Sequence, residues 1–464
     1  MFSLLLIKRK CVNKYKMSKK KIAIVGGGVS GLSAAYFLDE NPDYEVTLYE
    51  KEQQLGGNAR TVMAKTPSGE KYAVDPIAYL FITKRYPYFS AWIKQLGVKT
   101  LPFRFENYLW NAHKGKGILI TNKVLKILYS PGKIWNLFLF SKVIKTIDKL
   151  NAQGKLNDEL LMKDFIKEVP FVSQKFLQEI FYPLMTFAFH TDVKSMPEQP
   201  CGATLKSYSL SSKDPEGSWC IDGGVQTYVQ KVRSIIQNTN VITGNTVASV
   251  SVQKTDGMNI WTVTTSAGDK QEYDQVILAL WPHQAAEVLK NGTLDSATYF
   301  AETISLLSKV ELAWCRATVH NDSNVMPLNK FNWATYSYKF MPYMKTILAS
   351  IWSGQAKNAK VFTSYDWSNS EEGISTENAL TRPAEPVYCV HTHVRTPPRL
   401  QLYETQKHIV ARQGLDELWF TNSFLRNTGF HEDGLATSID VIKTLVPDLS
   451  KMERLKGLIQ EANL

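Results

Sequence analysis

The sequence has few cysteines and none paired in a way that suits a metal or a disulfide framework. Only five of its 464 residues are cysteine, they are scattered, and no C-x-x-C spacing occurs, which argues against a zinc module and a secreted disulfide scaffold. We therefore expect a reducing compartment. Long apolar runs are also missing, since no stretch approaches the roughly 18 to 20 residues that span a bilayer. At this length, two or three domain-sized units can bury large cores without metals or disulfides.

Acidic residues are missing from the first 21 positions, and this absence explains most of the net charge. The chain carries a formal charge of +11, but residues 1–21 hold eight basic residues. The remainder, with 46 basic and 43 acidic residues, is nearly neutral, so no nucleic-acid partner is predicted. We interpret residues 1–20 as a basic leader that need not be ordered; a start at Met17 or an organelle-targeting presequence would also explain it. We expect a cytoplasmic protein, either soluble or peripheral to a membrane.

The first strong positive signal is the pattern of a β-α-β unit near the start of the chain. Ile22–Val25 is a short, β-branched apolar run that predicts a buried parallel strand. Ser33–Leu38 predicts a helix, and Val46–Tyr49 predicts a second strand.

Three glycines between the first strand and the helix have the G-x-G-x-x-G spacing. In this pattern Gly26 permits a tight turn, Gly28 lets the backbone approach a pyrophosphate, and Gly31 lets the helix pack close to the strand. Glu50, at the end of the second strand, is placed to accept hydrogen bonds from a ribose diol. Together these features predict a dinucleotide site.

A second glycine pair, Gly56 and Gly57, follows in the segment KEQQLGGNARTV. With it the sequence resembles the flavin-containing amine oxidase and phytoene desaturase superfamily, in which an acid, a spacer and an L-G-G segment bring a second loop to FAD. Amine oxidases usually place Arg directly after the glycine pair, whereas this chain has Asn58, with Arg60 two positions on. A nicotinamide-dependent dehydrogenase has no use for this second pair.

Three later segments fit the same resemblance, in the expected order. Residues 221–232 resemble a glycine-pair start of a helix, 240–252 the strand that meets the adenine around Val247, and 273–289 a strand and helix of the cofactor domain.

The C-terminal match is the sequence G-F-H-E-D-G at 429–434. It resembles a branch of predicted FAD-dependent oxidoreductases, and a helix is predicted to follow from about Leu435. In this superfamily the start of that helix points at the flavin pyrimidine, where its dipole stabilises the charge that builds up on reduction. His431 lies within this loop, and an orienting hydrogen bond is its favoured role.

The resemblance implies FAD as the cofactor and assigns its contacts residue by residue. The implied cofactor-binding residues are Gly26, Gly28, Val29, Ser30, Gly31, Glu50, Lys51, Gly56, Gly57, Asn58, Val247, Asp433, Gly434 and Leu435. No catalytic residue is identified, because the flavin itself accepts a hydride and the protein mainly positions the reactants. His391 and His393 can face one side of a strand, but two candidates make a poor metal site, so no metal is predicted.

The predicted fold class is α/β. It comprises a discontinuous, Rossmann-like FAD-binding domain of the GR2 type and an inserted α+β substrate domain. We assign the cofactor domain to residues 21–100, 220–290 and 385–445, the substrate domain to 101–219 and 291–384, and a C-terminal helix to 446–464. The first part of the substrate domain is predicted to be largely helical, and the second to contain antiparallel, aromatic-rich strands.

Residues 114–149 hold eight lysines and one acid, interleaved with the apolar run IWNLFLF. One interpretation is an amphipathic helical lid with solvated lysines. The other is a membrane-interface patch, because each lysine near an anionic surface contributes about 1 kcal/mol and the aromatic side chains can enter the acyl boundary.

We expect an FAD-dependent oxidoreductase that removes a hydride from, or isomerises, an apolar small molecule or lipid, such as a fatty acyl chain or polyene. Oxygen or a quinone would reoxidise the flavin. The alternatives are a flavin amine oxidase and a non-catalytic flavin- or lipid-binding protein, which the departures from the superfamily pattern at Asn58, Ile77 and Asn422 keep open. The oligomeric state is not predicted.

Overall fold

The computed structural model describes residues 19–462, apart from 104–105, 112–115, 121–133, 190, 192, 213–216, 256, 342–345, 356–357, 369–382, 385 and 427–428. Its helices are α1 (Val29–Leu38), α2 (Pro87–Gln95), α3 (Ile134–Ala152), α4 (Met162–Lys167), α5 (Gln174–Phe176), α6 (Tyr182–Phe189), α7 (Gly202–Ser212), α8 (Gln226–Ile235), α9 (Pro282–Lys290), α10 (Leu294–Tyr299), α11 (Ala301–Ser308), α12 (Leu400–Ala411), α13 (His431–Leu445) and α14 (Glu453–Ala462). A π-helical segment, Leu177–Phe181, connects α5 to α6.

The strands belong to five sheets. They are β1 (Lys20–Val25), β2 (Tyr44–Glu50), β3 (Val62–Lys65), β4 (Lys71–Val74), β5 (Phe81–Ile82), β6 (Thr100–Phe103), β7 (Asn107–Asn111), β8 (Lys116–Ile120), β9 (Ser218–Ile221), β10 (Asn240–Thr243), β11 (Val247–Thr255), β12 (Met258–Thr265), β13 (Lys270–Tyr273), β14 (Gln275–Leu278), β15 (Ala313–His320), β16 (Tyr336–Met341), β17 (Thr346–Ile351), β18 (Phe362–Ser368), β19 (Val387–Arg395) and β20 (Leu418–Phe420).

A parallel sheet with the strand order β10-β2-β1-β14-β20 forms the centre of one half of the molecule. Ile24 at its middle pairs with Leu48 on β2 and with Ile277 on β14, and all three are fully buried. Apolar side chains on both faces explain this burial, since a parallel sheet is covered on both sides. The expectation of a mixed α/β protein with a parallel sheet is confirmed.

Two hydrophobic cores cover this sheet. One contains buried side chains from α1, α2, α8, α13 and α14. The other contains side chains from β11, β12, α9 and α12, together with Phe300 and Leu307, which come from the region of α10 and α11. We assigned residues 291–384 to the substrate domain. The first two helices of this range, α10 and α11, therefore lie beside the core of the parallel sheet.

The other half of the molecule is built on a seven-stranded sheet with the order β19-β15-β18-β17-β16-β7-β8. Neighbouring strands are antiparallel except for β16 and β7. Helices α3 to α7 share a core with this sheet, in which Leu139, Phe165 and Phe181 meet Cys315 and Tyr365. The strand β19 lies in the range that we assigned to the cofactor domain, but it is hydrogen-bonded along β15 in this sheet. The sequence could not show this, because a local pattern identifies a strand but not the strand it pairs with.

The remaining segments are a C-terminal helix and the leader. Helix α14 packs against α2 through Leu455 and Leu458, and a Lys94–Glu461 ion pair joins the two helices. The described chain begins at residue 19, so most of the leader lies outside it. Among the described residues, no helix combines the length and apolar character that crossing a membrane requires.

Candidate cofactor-binding and active site

A cleft of about 780 Å³ lies at the carboxyl ends of β1 and β2, between the parallel sheet and β19. Ligands of open parallel sheets bind at this edge. The cleft is lined by Trp314 and by some of the residues in each of the segments 25–30, 49–60, 77–86, 245–248, 279–291, 391–395 and 422–431. A more open polar groove of about 1020 Å³ lies elsewhere, beside β12 and β13, and contains none of the predicted site residues.

The start of α1 is open to the cleft. Gly28 precedes the helix and caps none of its first N–H groups, so these donors and the positive end of the helix dipole are available to an anion. A Cβ atom placed on Gly28 would meet no other atom within 4 Å. There is therefore free space in front of Gly28, and a pyrophosphate fits there. A side chain at this position would fill the same space.

The second glycine pair lies directly against this turn. The Gly56 N–H donates to the Gly27 carbonyl oxygen at 2.8 Å, and a Cβ on Gly57 would lie 3.1 Å from the Gly28 Cα. Gly57 also has a φ of 56°, a conformation that favours glycine. Two backbone loops thus meet at one point of the cleft, as the resemblance implied.

Glu50 is anchored at the tip of β2 and is only 6% exposed. The Gly27 N–H donates to its Oε2 at 2.7 Å, and the Glu52 N–H donates to its Oε1 at 2.9 Å. A carboxylate has about four lone-pair sites, so two remain for a diol.

The other predicted contacts fall into two groups. The first group lines the cleft, together with the glycines and Glu50 described above; it contains Val29, Ser30, Lys51, Asn58 and Val247. Gly31 does not line it, since a Cβ there would lie 1.9 Å from the Gly26 carbonyl oxygen. Gly31 therefore serves the close packing of α1 on the turn.

At the C-terminal end, α13 begins at His431, four residues earlier than predicted. The residues that line the cleft here are Gly429, Phe430 and His431, whereas Asp433, Gly434 and Leu435 lie inside the helix. Asp433 accepts a hydrogen bond from the Phe430 N–H at 2.8 Å. A Cβ on Gly434 would lie 2.8 Å from the Ser30 Oγ, and Leu435 is fully buried. Gly434 and Leu435 thus serve the packing of α13 on α1, whereas Asp433 binds the backbone at the start of α13 itself.

His431 is a neutral, oriented side chain at the start of α13. Its Nε2 lies 2.7 Å from the Tyr228 hydroxyl, and its ring meets the edge of Phe89 with the centroids 4.8 Å apart. Burial, and secondarily the charge of Arg395, lowers the His431 pKa to about 3. An orienting hydrogen bond is thus present, and the imidazole carries no charge at neutral pH.

Two buried carboxyl groups hold the walls of the cleft together. Asp75 accepts from the Thr61 hydroxyl at 2.6 Å and from the Val225 N–H at 3.0 Å, and burial raises its pKa to about 7. Glu432 accepts from the N–H groups at the start of α2, including that of Phe89 at 2.8 Å. Burial raises the Glu432 pKa to about 8, although these N–H donors lower it.

Sequence reasoning missed His283 and Arg395 in the cleft, and it named Arg60 and His391 without a contact to the cofactor. The Arg60 Nε donates to the Gly57 carbonyl oxygen at 3.0 Å, which places this guanidinium beside the second glycine loop. The alternation of β19 carries a signal that could have found Arg395, because residue 395 lies on the same face of the strand as residues 391 and 393.

His391 and His393, which we considered as metal ligands, stack with their ring centroids 6.1 Å apart and their planes 8° apart. Burial, with a smaller contribution from the charge of Arg60, lowers the His391 pKa. In the described part of the chain, no three histidine, cysteine or acidic side chains are grouped to hold a metal ion.

A parallel sheet that carries an uncapped helix and two glycine loops at its carboxyl edge defines a mixed α/β protein built for a nucleotide cofactor. The model of the flavin containing amine oxidoreductase family matches residues 29–400. The chain belongs to this family, and the resemblance found in its motifs is confirmed. FAD, the flavin of this family of oxidoreductases, is its cofactor.

Curated relatives share part of the sequence. Prenylcysteine oxidase 1 from Pongo abelii is 26% identical over 239 residues, which are 44% of this chain and 43% of that protein. Coproporphyrinogen III oxidase from Bacillus subtilis (strain 168) is 23% identical over 308 residues, which are 58% of this chain and 61% of that protein. The chain thus spans less than two thirds of the length of either relative.

Among solved structures, the CLA-producing fatty acid isomerase from P. acnes has the same fold with a TM-score of 0.64. The alignment covers 92% of this chain and 98% of the isomerase, at 13% sequence identity.

Proposed function

We propose that the cleft binds FAD in an extended conformation within a Rossmann-like domain of the GR2 type. The pyrophosphate would lie at the N-terminus of α1 in front of Gly28, the adenosine ribose at Glu50, and the flavin ring beside the start of α13. What carries this proposal is that the open start of α1 and the start of α13 line one continuous cleft. The discontinuous cofactor domain assigned from the sequence is part of the same proposal.

The reaction that we propose is hydride removal from an apolar substrate such as a fatty acyl chain or polyene, or the isomerisation of one. Bound FAD supplies the hydride acceptor. Ile77, Leu80 and Trp314, the last of which belongs to the seven-stranded sheet, give part of the cleft an apolar lining. The names of the relatives, which refer to a porphyrinogen, a prenylcysteine and a fatty acid, agree with this class of substrate.

The positions of the acidic residues support the same assignment. The carboxylates that line the cleft among the described residues are Glu50, Glu52 and Glu287. Glu50 and Glu52 come from the end of β2, and Glu287 comes from α9. None of them belongs to β19 or to the loop before α13, where the substrate would meet the flavin. An apolar molecule can therefore enter that end of the cleft without leaving a carboxylate unpaired.

The chain itself orients the reactants. The Tyr228 hydroxyl holds the His431 ring at the start of α13, and burial keeps that ring neutral. Asp433 fixes the Phe430 N–H, so the residue directly before α13 has a defined backbone position. Pre-ordered groups of this kind lower the entropic cost of reaching a reactive geometry.

We further propose contact with a membrane surface through the first turns of α3. Ile134, Trp135 and Phe138 are 52%, 59% and 41% exposed, and the ammonium group of Lys142 lies 5.0 Å from the centre of the Phe138 ring. Exposed aromatic side chains next to lysines match an anionic lipid interface. The lysines at 123, 126 and 133 lie outside the described residues.

The test is an anaerobic titration of the purified, yellow protein, in which loss of flavin absorbance reports reduction. Unsaturated fatty acids and polyenes are compared with a panel of primary and secondary amines. Bleaching by the apolar compounds supports the proposal; for a pure isomerisation, product analysis replaces bleaching. Bleaching by amines with production of hydrogen peroxide would instead identify an amine oxidase. If neither the apolar compounds nor the amines are turned over, the protein would be a non-catalytic flavin-binding member of the family.

A further inference from the structure

Arg395 ends β19 at the point where α13 begins. Its Nη1 donates to the Gly429 carbonyl oxygen at 2.8 Å, two residues before the first residue of α13. Both residues, together with His431, line the same end of the cleft. The guanidinium is thus fixed beside the positive end of a helix that faces the cleft.

This guanidinium has no acidic partner within the described part of the chain. Two other arginines nearby in sequence or in the same sheet are ion-paired: Arg316 with Asp366 at 2.7 Å, and Arg399 with Glu311 at 2.9 Å. No carboxylate of the described residues lies within 4.0 Å of Arg395, and its Nε is buried without a hydrogen-bond partner there. A partly buried cation without a counter-charge is costly in a folded protein.

The groups around Arg395 do not neutralise it. Its charge acts on Tyr86, Tyr365 and His431; burial raises the pKa of both tyrosines and lowers that of the histidine, so all three are uncharged at neutral pH. The acids of the first turn of α13 are used elsewhere, Asp433 on the Phe430 N–H and Glu432 on α2. The cleft therefore presents a fixed positive site to whatever binds there.

We propose that Arg395 stabilises the negative charge that develops on the pyrimidine edge of FAD, at N1 and O2, when a hydride adds to N5. This deepens the proposed function and rests on the placement of the flavin ring beside α13. An oxygen-rich anion of the same chemistry could instead come from a substrate carboxylate. The flavin is favoured because Arg395 is hydrogen-bonded to Gly429, two residues before the start of α13, beside which the flavin ring is placed.

Sulfite binding distinguishes the flavin from a substrate carboxylate as the anion that Arg395 stabilises, and it requires no turnover. It adds through its sulfur lone pair to N5 of oxidised flavin: an N5–S bond forms, no group leaves, and the displaced electron pair resides at N1 and O2. Its dissociation constant, read from the loss of flavin absorbance, thus measures how well the protein stabilises charge at that edge. The flavin reduction potential provides a second, independent measurement.

The variants are Arg395→Met, Arg395→Gln and Arg395→Lys, with Arg399→Met as the matched control. An opposite charge within about 4–6 Å shifts an ionisation by about 1–3 pKa units, so Met and Gln should weaken sulfite binding by about tenfold or more. Lys should retain most of the affinity, and the Arg399 control should match the wild type. If the Met variant retains no flavin, the comparison of Gln with Lys carries the test.

Unchanged sulfite affinity and reduction potential in Arg395→Met or Arg395→Gln would overturn the proposal. A raised KM for a carboxylate substrate, with sulfite affinity unchanged, would assign Arg395 to the substrate instead. Failure of the apolar substrate panel would not affect this assay, since sulfite requires only bound FAD; the two proposals can therefore fail separately.

Discussion

Gly28 and Gly31 lie in one motif but should respond to the same substitution in opposite ways. A Cβ on Gly28 would project into the open cleft, whereas a Cβ on Gly31 would lie 1.9 Å from the Gly26 carbonyl oxygen. We expect Gly28→Ala to fold and lose cofactor affinity, and Gly31→Ala to lose stability.

The magnitudes follow from what each methyl group would displace. Gly28 has a φ of −68°, which alanine adopts without strain, so the apoprotein should lose at most about 1 kcal/mol from the poorer cap. A methyl group in the space of a phosphate is a case of overpacking, which costs about 1–3 kcal/mol and corresponds to a dissociation constant raised about 5- to 150-fold. Gly31→Ala requires a shift of the backbone, and its cost in unfolding free energy should be about 3 kcal/mol or more.

The assay combines two measurements on protein from which the flavin has been removed. Urea unfolding gives the free energy of the apoprotein, and quenching of FAD fluorescence on titration gives the dissociation constant. Binding of FAD to Gly28→Ala within twofold of the wild type would refute the placement of the pyrophosphate. Equal unfolding free energies for Gly31→Ala and the wild type would refute the packing role of Gly31.

Three further variants test other parts of the molecule. Burial raises the Asp75 pKa to about 7, so the wild type should lose stability as the pH rises from about 4 to about 7, by up to about 4 kcal/mol. Asp75→Asn should therefore be less destabilising at pH 8 than at pH 5 in urea unfolding, and a pH-independent difference would contradict this. Tyr228→Phe removes the 2.7 Å hydrogen bond to His431 and should cost about 1–3 kcal/mol in thermal unfolding, whereas an unchanged melting temperature would show that the bond is dispensable. Serine at both Trp135 and Phe138 should weaken binding to anionic vesicles about tenfold or more with flavin content unchanged; equal co-sedimentation of variant and wild type would exclude α3 as the contact.

The nucleotide end of the site could be predicted from the sequence because its signals are local. The strand, glycine turn and helix of the first motif lie within thirty residues, and β1, α1 and β2 appear within a few residues of their predicted bounds. Glu50 also lies where the strand pattern placed it. Local backbone requirements of this kind are visible in residue type and spacing alone.

The flavin end could be predicted less well because its determinants are contacts between distant segments. We predicted that α13 starts at about Leu435, directly after Gly434. In the structure Gly434 is inside the helix, because α13 approaches Ser30 on α1 too closely for a side chain. Likewise, Arg395 is an ordinary polar residue of a strand until β19 is paired with β15 and brought to α13.

The buried acids around the cleft explain why neither the sequence nor the structure identifies a catalytic residue. Glu50 accepts from the Gly27 N–H, Asp75 from the Val225 N–H, Glu432 from the Phe89 N–H and Asp433 from the Phe430 N–H, at 2.7 to 3.0 Å.

Three of these four bonds join segments 23 to 343 positions apart, so the acids assemble the cleft instead of facing a substrate. From sequence, such acids cannot be told from general acids or bases, since both are isolated carboxylates next to glycine loops. Because these carboxylates are committed to the backbone, the chemistry at the flavin end is left to the cofactor and to the neutral and cationic groups beside it. Amide substitutions at the four acids should accordingly lower stability and flavin retention without altering the pH profile of turnover in the protein that keeps its flavin.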